Sequence, residues 1–365
     1  MLIMRTFEKT FKLPFKFDIP NLTNDYIKKR FLIRVWFKFL RRWFYLTISG
    51  QRFLEIKKIS PEHNRILWVN LSAPSLGDSL MDLSSRVLIR NKSVDLFTDK
   101  KNSHIFIDDE IFNSVFTKKN DLKGNKYDLV IIDSFSSRSI KIKTSVARRT
   151  KYVSMFGFYN GPEVNRVLFS FHQMNNLLSY PMSEIEINGI AKSTITISNY
   201  DADLVNHLNL PSIYLCIAIG GEWPHRTYKN WDKVINDLFK LDSNITIVLV
   251  GSDNANSDAK QIIERFKSHN LISLVGQHSF KQTAEIINGA KMLLCCDGGL
   301  MHAANSVETP IVALFARLQP QMQITDSIKF SSAYDEIDVN NIPYKKIISC
   351  YKELTMFFSK NHLSE

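Results

Sequence analysis

Three short stretches carry residue types and spacings that can do chemistry. In "LLCCDGGLMHAANS", Leu293 to Ser306, an apolar run stops at Asp297, Gly298 and Gly299 follow, and His302 comes five positions after the aspartate. A carboxylate at a strand exit can fix a turn or reach a sugar hydroxyl. Two bare glycines let an anion approach backbone amides, and the first amides of a helix are unpaired and favour negative charge. In "GGEWPHRTYKNW", Arg226 sits on a loop after another apolar run, where a guanidinium can grip two phosphate oxygens at once. In "SAPSLGD", a small-residue turn with Ser75 and Gly77 leads to Asp78 at the start of a helical pattern. A carboxylate placed there can take a proton from a bound hydroxyl. Asp253, after "LVG", is a further candidate for ribose hydroxyls. Ordinary alternatives stay open: a helix-dipole aspartate at 78, a surface Arg226, a His302 bound to a carbonyl, a loop cap at Asp253.

These residues need strands and helices in alternation to bring them to one edge. "RILWVNL" (65–71), "SVDLFTD" (93–99), "YDLVIIDSF" (127–135) and "RTKYVSMFGF" (149–158) read as strands of a first domain. "SIYLCIAIGG" (212–221), "ITIVLVGSD" (245–253), "LISLVG" (271–276), "KMLLCCDGG" (291–299) and "PIVALFA" (310–316) read as strands of a second. Helical patterns over 229–240, 256–268, 281–288 and 300–307 separate the latter. Strands alternating with helices predict parallel sheets, whose ligands bind at the carboxyl ends of the strands. The expected organisation is an extension over 1–60, domains over 61–175 and 212–345, a linker over 176–211 and a C-terminal helix over 346–365. Neither half has a GxGxxG fingerprint or a GxxxxGK[ST] loop, which argues against a dehydrogenase or a P-loop enzyme. "DAD", Asp201 to Asp203, could bind a metal–nucleotide complex but reads better as part of a capped helix.

Composition narrows the class. At 365 residues the chain suits two domains. Its four cysteines, Cys216, Cys295, Cys296 and Cys350, form no CxxC pair, so they read as core residues in a reducing cytoplasm. Residues 1–65 hold 15 Lys and Arg against 5 Asp and Glu, a net +10 of the chain's +11. The balanced remainder argues against a nucleic-acid groove. The charge centres on "YIKKRFLIRVWFKFLRRWFYL", Tyr26 to Leu46. There Arg30, Arg34, Lys38 and Arg41 share a narrow helical face, with Trp36 and Trp43 among the aromatics on the other side. The cations rule out a membrane span, and no cleavage site marks a signal peptide. An aromatic face with a basic stripe suits an anionic membrane surface, and an N-terminal helix packed on the body is the alternative.

The segments "ILWVNLSAPSLGDSLMDLSSRVLIR", "YDLVIIDSFSSRSIKIKTSVARRTKYVSMFGF", "IAIGGEWPHRTYKNW" and "FKQTAEIINGAKMLLCCDGGLMHAANSVETPIVALFA" resemble the lipopolysaccharide heptosyltransferase family, in order, from about Arg65 to residue 360. "SLGD" and "DGGLMH" are the most specific parts. The family's pattern near the second is D-[ST]-G-L-x-H-x-A, so Gly298 departs from it and one donor-binding hydroxyl is missing. The family usually has a basic residue and then aromatic-Pro, whereas "RTYKNW" is shorter and lacks that proline. Residues 1–60 lie outside the resemblance.

The resemblance implies a GT-B fold of two Rossmann-like parallel-sheet α/β domains facing a central cleft. It implies inverting, metal-independent transfer of heptose from ADP-heptose to the lipid A–Kdo or heptosylated core of lipopolysaccharide. It places the enzyme on the cytoplasmic face of a bacterial inner membrane, with no cofactor beyond the sugar nucleotide. Asp78 matches the catalytic base, beside Ser75 and Gly77 on the acceptor-side loop. Arg226, Asp253, Asp297, Gly298, Gly299 and His302 fall on the donor side. Transfer of another hexose or N-acetylhexosamine to the core is the nearest alternative. A catalytically silent GT-B protein that recruits lipopolysaccharide precursors is the one from another class.

Overall fold

The computed structural model describes residues 2–13, 15 and 32–361. The chain forms two compact units, Met1–Ala191 and Lys192–Glu365. The division falls inside the stretch expected as a linker, half of which is helical. The helix Arg166–Leu178 runs into it, and Glu184–Ile190 and Asn199–Asn206 lie within it.

In the first unit, β1 (Arg65–Asn70), β2 (Ser93–Thr98), β3 (Phe112–Phe116), β4 (Leu129–Ser134) and β5 (Tyr152–Gly157) form a parallel sheet of order β3-β2-β1-β4-β5. Residues 66–69 and 129–132 are wholly buried, which explains their unbroken apolar runs. The strand order reverses between β1 and β4. That reversal opens a crevice at their carboxyl ends, the usual ligand position in an open parallel sheet.

In the second unit, β6 (Leu215–Ala218), β7 (Ile247–Val250), β8 (Leu271–Ser273), β9 (Met292–Cys296), β10 (Ile311–Ala316) and β11 (Phe330–Asp335) form a parallel sheet of order β11-β10-β9-β6-β7-β8. Here the reversal lies between β6 and β9. Cys295 and Cys296 point to opposite faces and join the two separate cores there. Gly220 and Gly251, just past β6 and β7, have φ of 82° and 158°. A Cβ on them would meet Ala255 Cβ at 2.7 Å and the Ile219 carbonyl oxygen at 2.5 Å, so both turns require glycine. The last helix, Tyr344–Asn361, begins two residues before the expected start and packs on β10 and β11.

The basic segment forms the helix Leu32–Ile48, packed on the first unit. Val35, Phe39 and Leu46 are buried beneath it. The Phe39 ring lies 5.0 Å from Phe158, and Phe158 lies 4.5 Å from Phe135. Trp36, expected on a membrane-facing side, instead packs edge-on to Phe7 at 4.7 Å and stacks near Phe39. Trp43 is half-buried under the Arg52 guanidinium. The outward apolar residues are Ile33, Phe37, Phe44 and Ile48, each more than 60% exposed. Their spacing places them on the face opposite Val35, Phe39 and Leu46. Arg34, Lys38 and Arg41 are exposed along one flank of that face. Arg30 lies outside the described residues. Among the described residues, no helix is long and apolar enough to cross a membrane.

Candidate functional site

The first unit builds a site on the turn that leaves β1. Asp133, wholly buried at the end of β4, accepts from the backbone N–H of Leu71 at 2.7 Å and of Ser72 at 2.6 Å. It also accepts from Ser134 N–H and from the Ser139 hydroxyl, at 2.5 and 2.6 Å. Arg138 donates to the Leu71 carbonyl and Lys101 to the Pro74 carbonyl. The chain entering the helix Leu76–Asp82 is thereby fixed on both sides of the peptide.

Ser75 caps that helix, and Asp78 closes a reciprocal capping box. Asp78 Oδ2 accepts from Ser75 N–H at 3.1 Å and from the Ser75 hydroxyl at 2.5 Å. Its Oδ1 accepts from Arg166 at 3.0 Å. A carboxylate offers about four lone-pair positions. Three of them are filled, and the side chain keeps 21% exposure. Gly77 is buried in the first turn of the same helix.

Arg166 is the organising cation. It leads the helix Arg166–Leu178 and makes a two-pronged contact with Asp82, Nε to Oδ1 at 2.7 Å and Nη2 to Oδ2 at 2.5 Å. Asp82 is one turn beyond Asp78, on the same helix face, and its side chain is wholly buried. Burial pushes the Asp82 carboxyl up to about 6, against the charge and hydrogen bonds of Arg166. Burial works against the charge on Arg166 too, but Asp82 and Asp78 outweigh it and hold the guanidinium above its usual range. The group is a fixed ionic clamp at neutral pH. Sequence reasoning passed over Arg166 and Asp82. The four-residue spacing from Asp78 to Asp82 was a usable signal, whereas Arg166 comes from a distant helix that nothing near "SLGD" announces.

The second unit brings together the donor-side candidates from β6 and β9. Arg226 leaves β6 on the short turn Pro224–Arg226, and Asp297 follows β9, so they flank the reversal in strand order. Arg226 Nη1 lies 3.2 Å from Asp297 Oδ2, an ion pair without hydrogen-bond alignment. Asp297 is buried and its N–H donates to the Leu314 carbonyl, so it anchors Arg226 and the turn. Gly298 is extended and caps the helix Gly299–Ser306. A Cβ on Gly298 would meet only the Cys296 carbonyl oxygen, at 3.9 Å, so the backbone does not require glycine there. His302 is 3% exposed on the inner side of that helix. Asp253 is exposed after β7, with Oδ1 beside Gly276. Asp201 of "DAD" accepts from the Ser198 hydroxyl at 2.7 Å and from Gln282 at 3.1 Å, within a helix capped by Ser198.

The profile of glycosyltransferase family 9 (heptosyltransferase) matches residues 117–326, more than half of the chain. The chain belongs to glycosyltransferase family 9. The matched range takes in Arg166, Arg226, Asp253 and Asp297 to His302, and leaves the Ser75–Asp78 turn and the N-terminal helix outside it. This family 9 chain is 25% identical over 225 residues to lipooligosaccharide heptosyltransferase 2 of Haemophilus ducreyi, covering 54% of this chain and 62% of that protein. It is 28% identical over 102 residues to lipopolysaccharide heptosyltransferase 2 of Salmonella typhimurium, covering 27% and 28%. The chain thus spans less than two thirds of the length of these curated relatives. A glycosyl transferase family 9 structure from Veillonella parvula superposes with a TM-score of 0.69 at 13% identity, covering 82% of this chain and 99% of that one. The E. coli ADP-heptose LPS heptosyltransferase II gives 0.63 at 15% identity, covering 81% and 99%. These likenesses establish the GT-B class of fold, with two Rossmann-like parallel-sheet domains.

The clamp makes a direct prediction. Arg166→Met leaves the Asp82 carboxyl buried without its cation and should cost about 3 kcal/mol in denaturant unfolding. Adding Asp82→Asn should recover most of that loss. In the wild type the folded chain keeps a proton that the unfolded chain releases between 3.8 and about 6, so Asp82's contribution falls as pH rises through that window. In Arg166→Met the window should extend to higher pH.

Proposed function

We propose that the protein is an inverting glycosyltransferase that moves a heptose from ADP-heptose to the inner core of lipopolysaccharide, without a bound metal. The observation that carries this reading is the partly exposed Asp78 carboxylate, held in place by Ser75 and Arg166. Family membership and the names of the curated relatives supply the reaction class and the sugar. In the reaction, the acceptor hydroxyl oxygen attacks the anomeric carbon and its proton passes to Asp78. The bond from that carbon to the diphosphate breaks, and its electrons leave with the diphosphate. Arg226 and the first amides of the helix Gly299–Ser306 stabilise the departing charge. His302 and Asp253 are assigned to the same nucleotide, as supports for phosphate and ribose.

One observation favours a second reading, transfer of a different hexose or an N-acetylhexosamine. Gly298 stands where the resemblance expects a hydroxyl, and its backbone leaves room for one. The backbone therefore does not impose the loss of that hydroxyl.

The proposed acceptor is a lipid, so the enzyme works on the cytoplasmic face of the inner membrane. Ile33, Phe37, Phe44 and Ile48 supply an apolar face of the right kind, and Arg34 and Arg41 supply attraction to anionic head groups. The two tryptophans take little part in this version of the contact.

Asp78→Asn keeps the shape of the side chain and loses its basicity. Turnover, measured with ADP-heptose and with ADP- and UDP-hexoses, should fall at least about 100-fold for whichever donor the wild type uses, with ADP binding unchanged. Wild-type turnover in that variant would remove Asp78 from the base role. Phe37→Ser with Phe44→Ser should abolish sedimentation with anionic vesicles without lowering the melting temperature. Vesicle binding equal to wild type would contradict the membrane reading.

A further inference from the structure

The helix Leu32–Ile48 carries Lys38 and Arg42 between its outward face and its buried face. Phe135 and Phe158 follow the carboxyl ends of β4 and β5, and Phe39 packs on Phe158. The N-terminal half of the helix therefore lies at the same edge of the first sheet as the Asp78 turn. A cavity of about 10 Å³, room for one oxygen-sized atom, opens there. It is lined by Thr10, Val35, Lys38, Phe39, Arg42, Phe158 and Asn160.

The charged side chains of the lining, Lys38 and Arg42, are both cations. Lys38 Nζ donates to Asn160 Oδ1 at 3.3 Å, which turns the other end of that amide elsewhere. Asn160 Nδ2 is buried and has no hydrogen-bond acceptor among the described residues. The Thr10 hydroxyl is committed to the Phe7 carbonyl. Arg42 is half-buried and makes no hydrogen bond or ion pair among the described residues, and burial pushes its guanidinium down. Asp133 is the carboxylate whose charge it feels. That carboxylate already accepts from Leu71, Ser72, Ser134 and Ser139, so its lone pairs are spent. A desolvated cation and a buried orphan amide N–H are each costly, and one anionic oxygen would satisfy both.

We propose that Lys38, Arg42 and Asn160 form an anion-binding site for an acidic group, carboxylate or phosphate, of the sugar acceptor. This rests on the glycosyltransferase reading. Asp133 links the site to the reaction: the carboxylate that Arg42 feels also holds the turn carrying Asp78. An acid held there would sit on the base's side of the first sheet. Its two cations, Lys38 and Arg42, come from the N-terminal helix outside the family 9 match, and Asn160 lies within it.

The test is calorimetric titration of the full chain, without donor, using a deacylated Kdo-bearing, phosphorylated core oligosaccharide, its dephosphorylated form, and inorganic phosphate. Lys38→Gln with Arg42→Gln should weaken oligosaccharide binding at least about tenfold and leave ADP binding unchanged. The melting temperature should hold or rise, because an unpaired, half-buried cation has been removed. Arg42→Lys should restore part of the affinity. Equal loss with both oligosaccharides assigns the carboxylate; loss confined to the phosphorylated form assigns the phosphate. Unchanged oligosaccharide affinity would overturn the proposal, including where phosphate binding alone is lost, since the site would then take a free anion. If the wild type binds phosphate and ADP but no oligosaccharide, the lipopolysaccharide acceptor is wrong, and this assignment falls with it. A lowered melting temperature with unchanged oligosaccharide affinity would make the two cations structural and would also overturn it.

Discussion

The contact of Arg166 with Asp82 and Asp78 is the interaction on which the geometry of the first unit's candidate site depends. A helix of seven residues is too short to hold a side chain by its own rigidity. Its orientation must come from tertiary contacts. Arg166 supplies them by joining two carboxylates on one face of that helix to a second helix. The wholly buried Asp82 takes the stronger, two-pronged share, and Asp78 takes a single bond and keeps some exposure. That asymmetry separates an anchor from the group proposed as the base. Asp133 does the equivalent work on the backbone side, by fixing the chain that leaves β1.

Much of this was legible in the sequence. The buried strands announced themselves through runs such as Ile66 to Val69 and Leu129 to Ile132, because both faces of those parallel strands are covered. The two strands that were passed over, Phe112–Phe116 and Phe330–Asp335, are sheet edges, where half-exposed polar residues dilute the signal. "SLGD" marked the turn of the candidate base because capping is a local matter of spacing. Arg166 was invisible for the opposite reason: 88 residues separate it from Asp78, and only the fold joins them. The donor-side residues were read singly, and the structure makes Arg226 and Asp297 a pair across the reversal in strand order.

The N-terminal helix shows how one amphipathic pattern can serve several contacts. Periodicity identified the helix and its charges but not which apolar residues faced out. Trp36 was absorbed by Phe7, a partner from a short helix whose packing no local pattern reveals. Phe37 and Phe44 were left outside. The cations divide in the same way. Arg34 and Arg41 lie toward solvent, whereas Arg42 turns inward to the carboxyl edge of the sheet.

The central claim is a single displacement, with Asp78 as base and no covalent sugar–protein intermediate. The stereochemistry of the new linkage tests it most directly. Proton NMR of the oligosaccharide formed by the wild-type chain should show an anomeric configuration inverted relative to the sugar nucleotide. A retained configuration would require two displacements or attack from the leaving-group side, and would contradict the account.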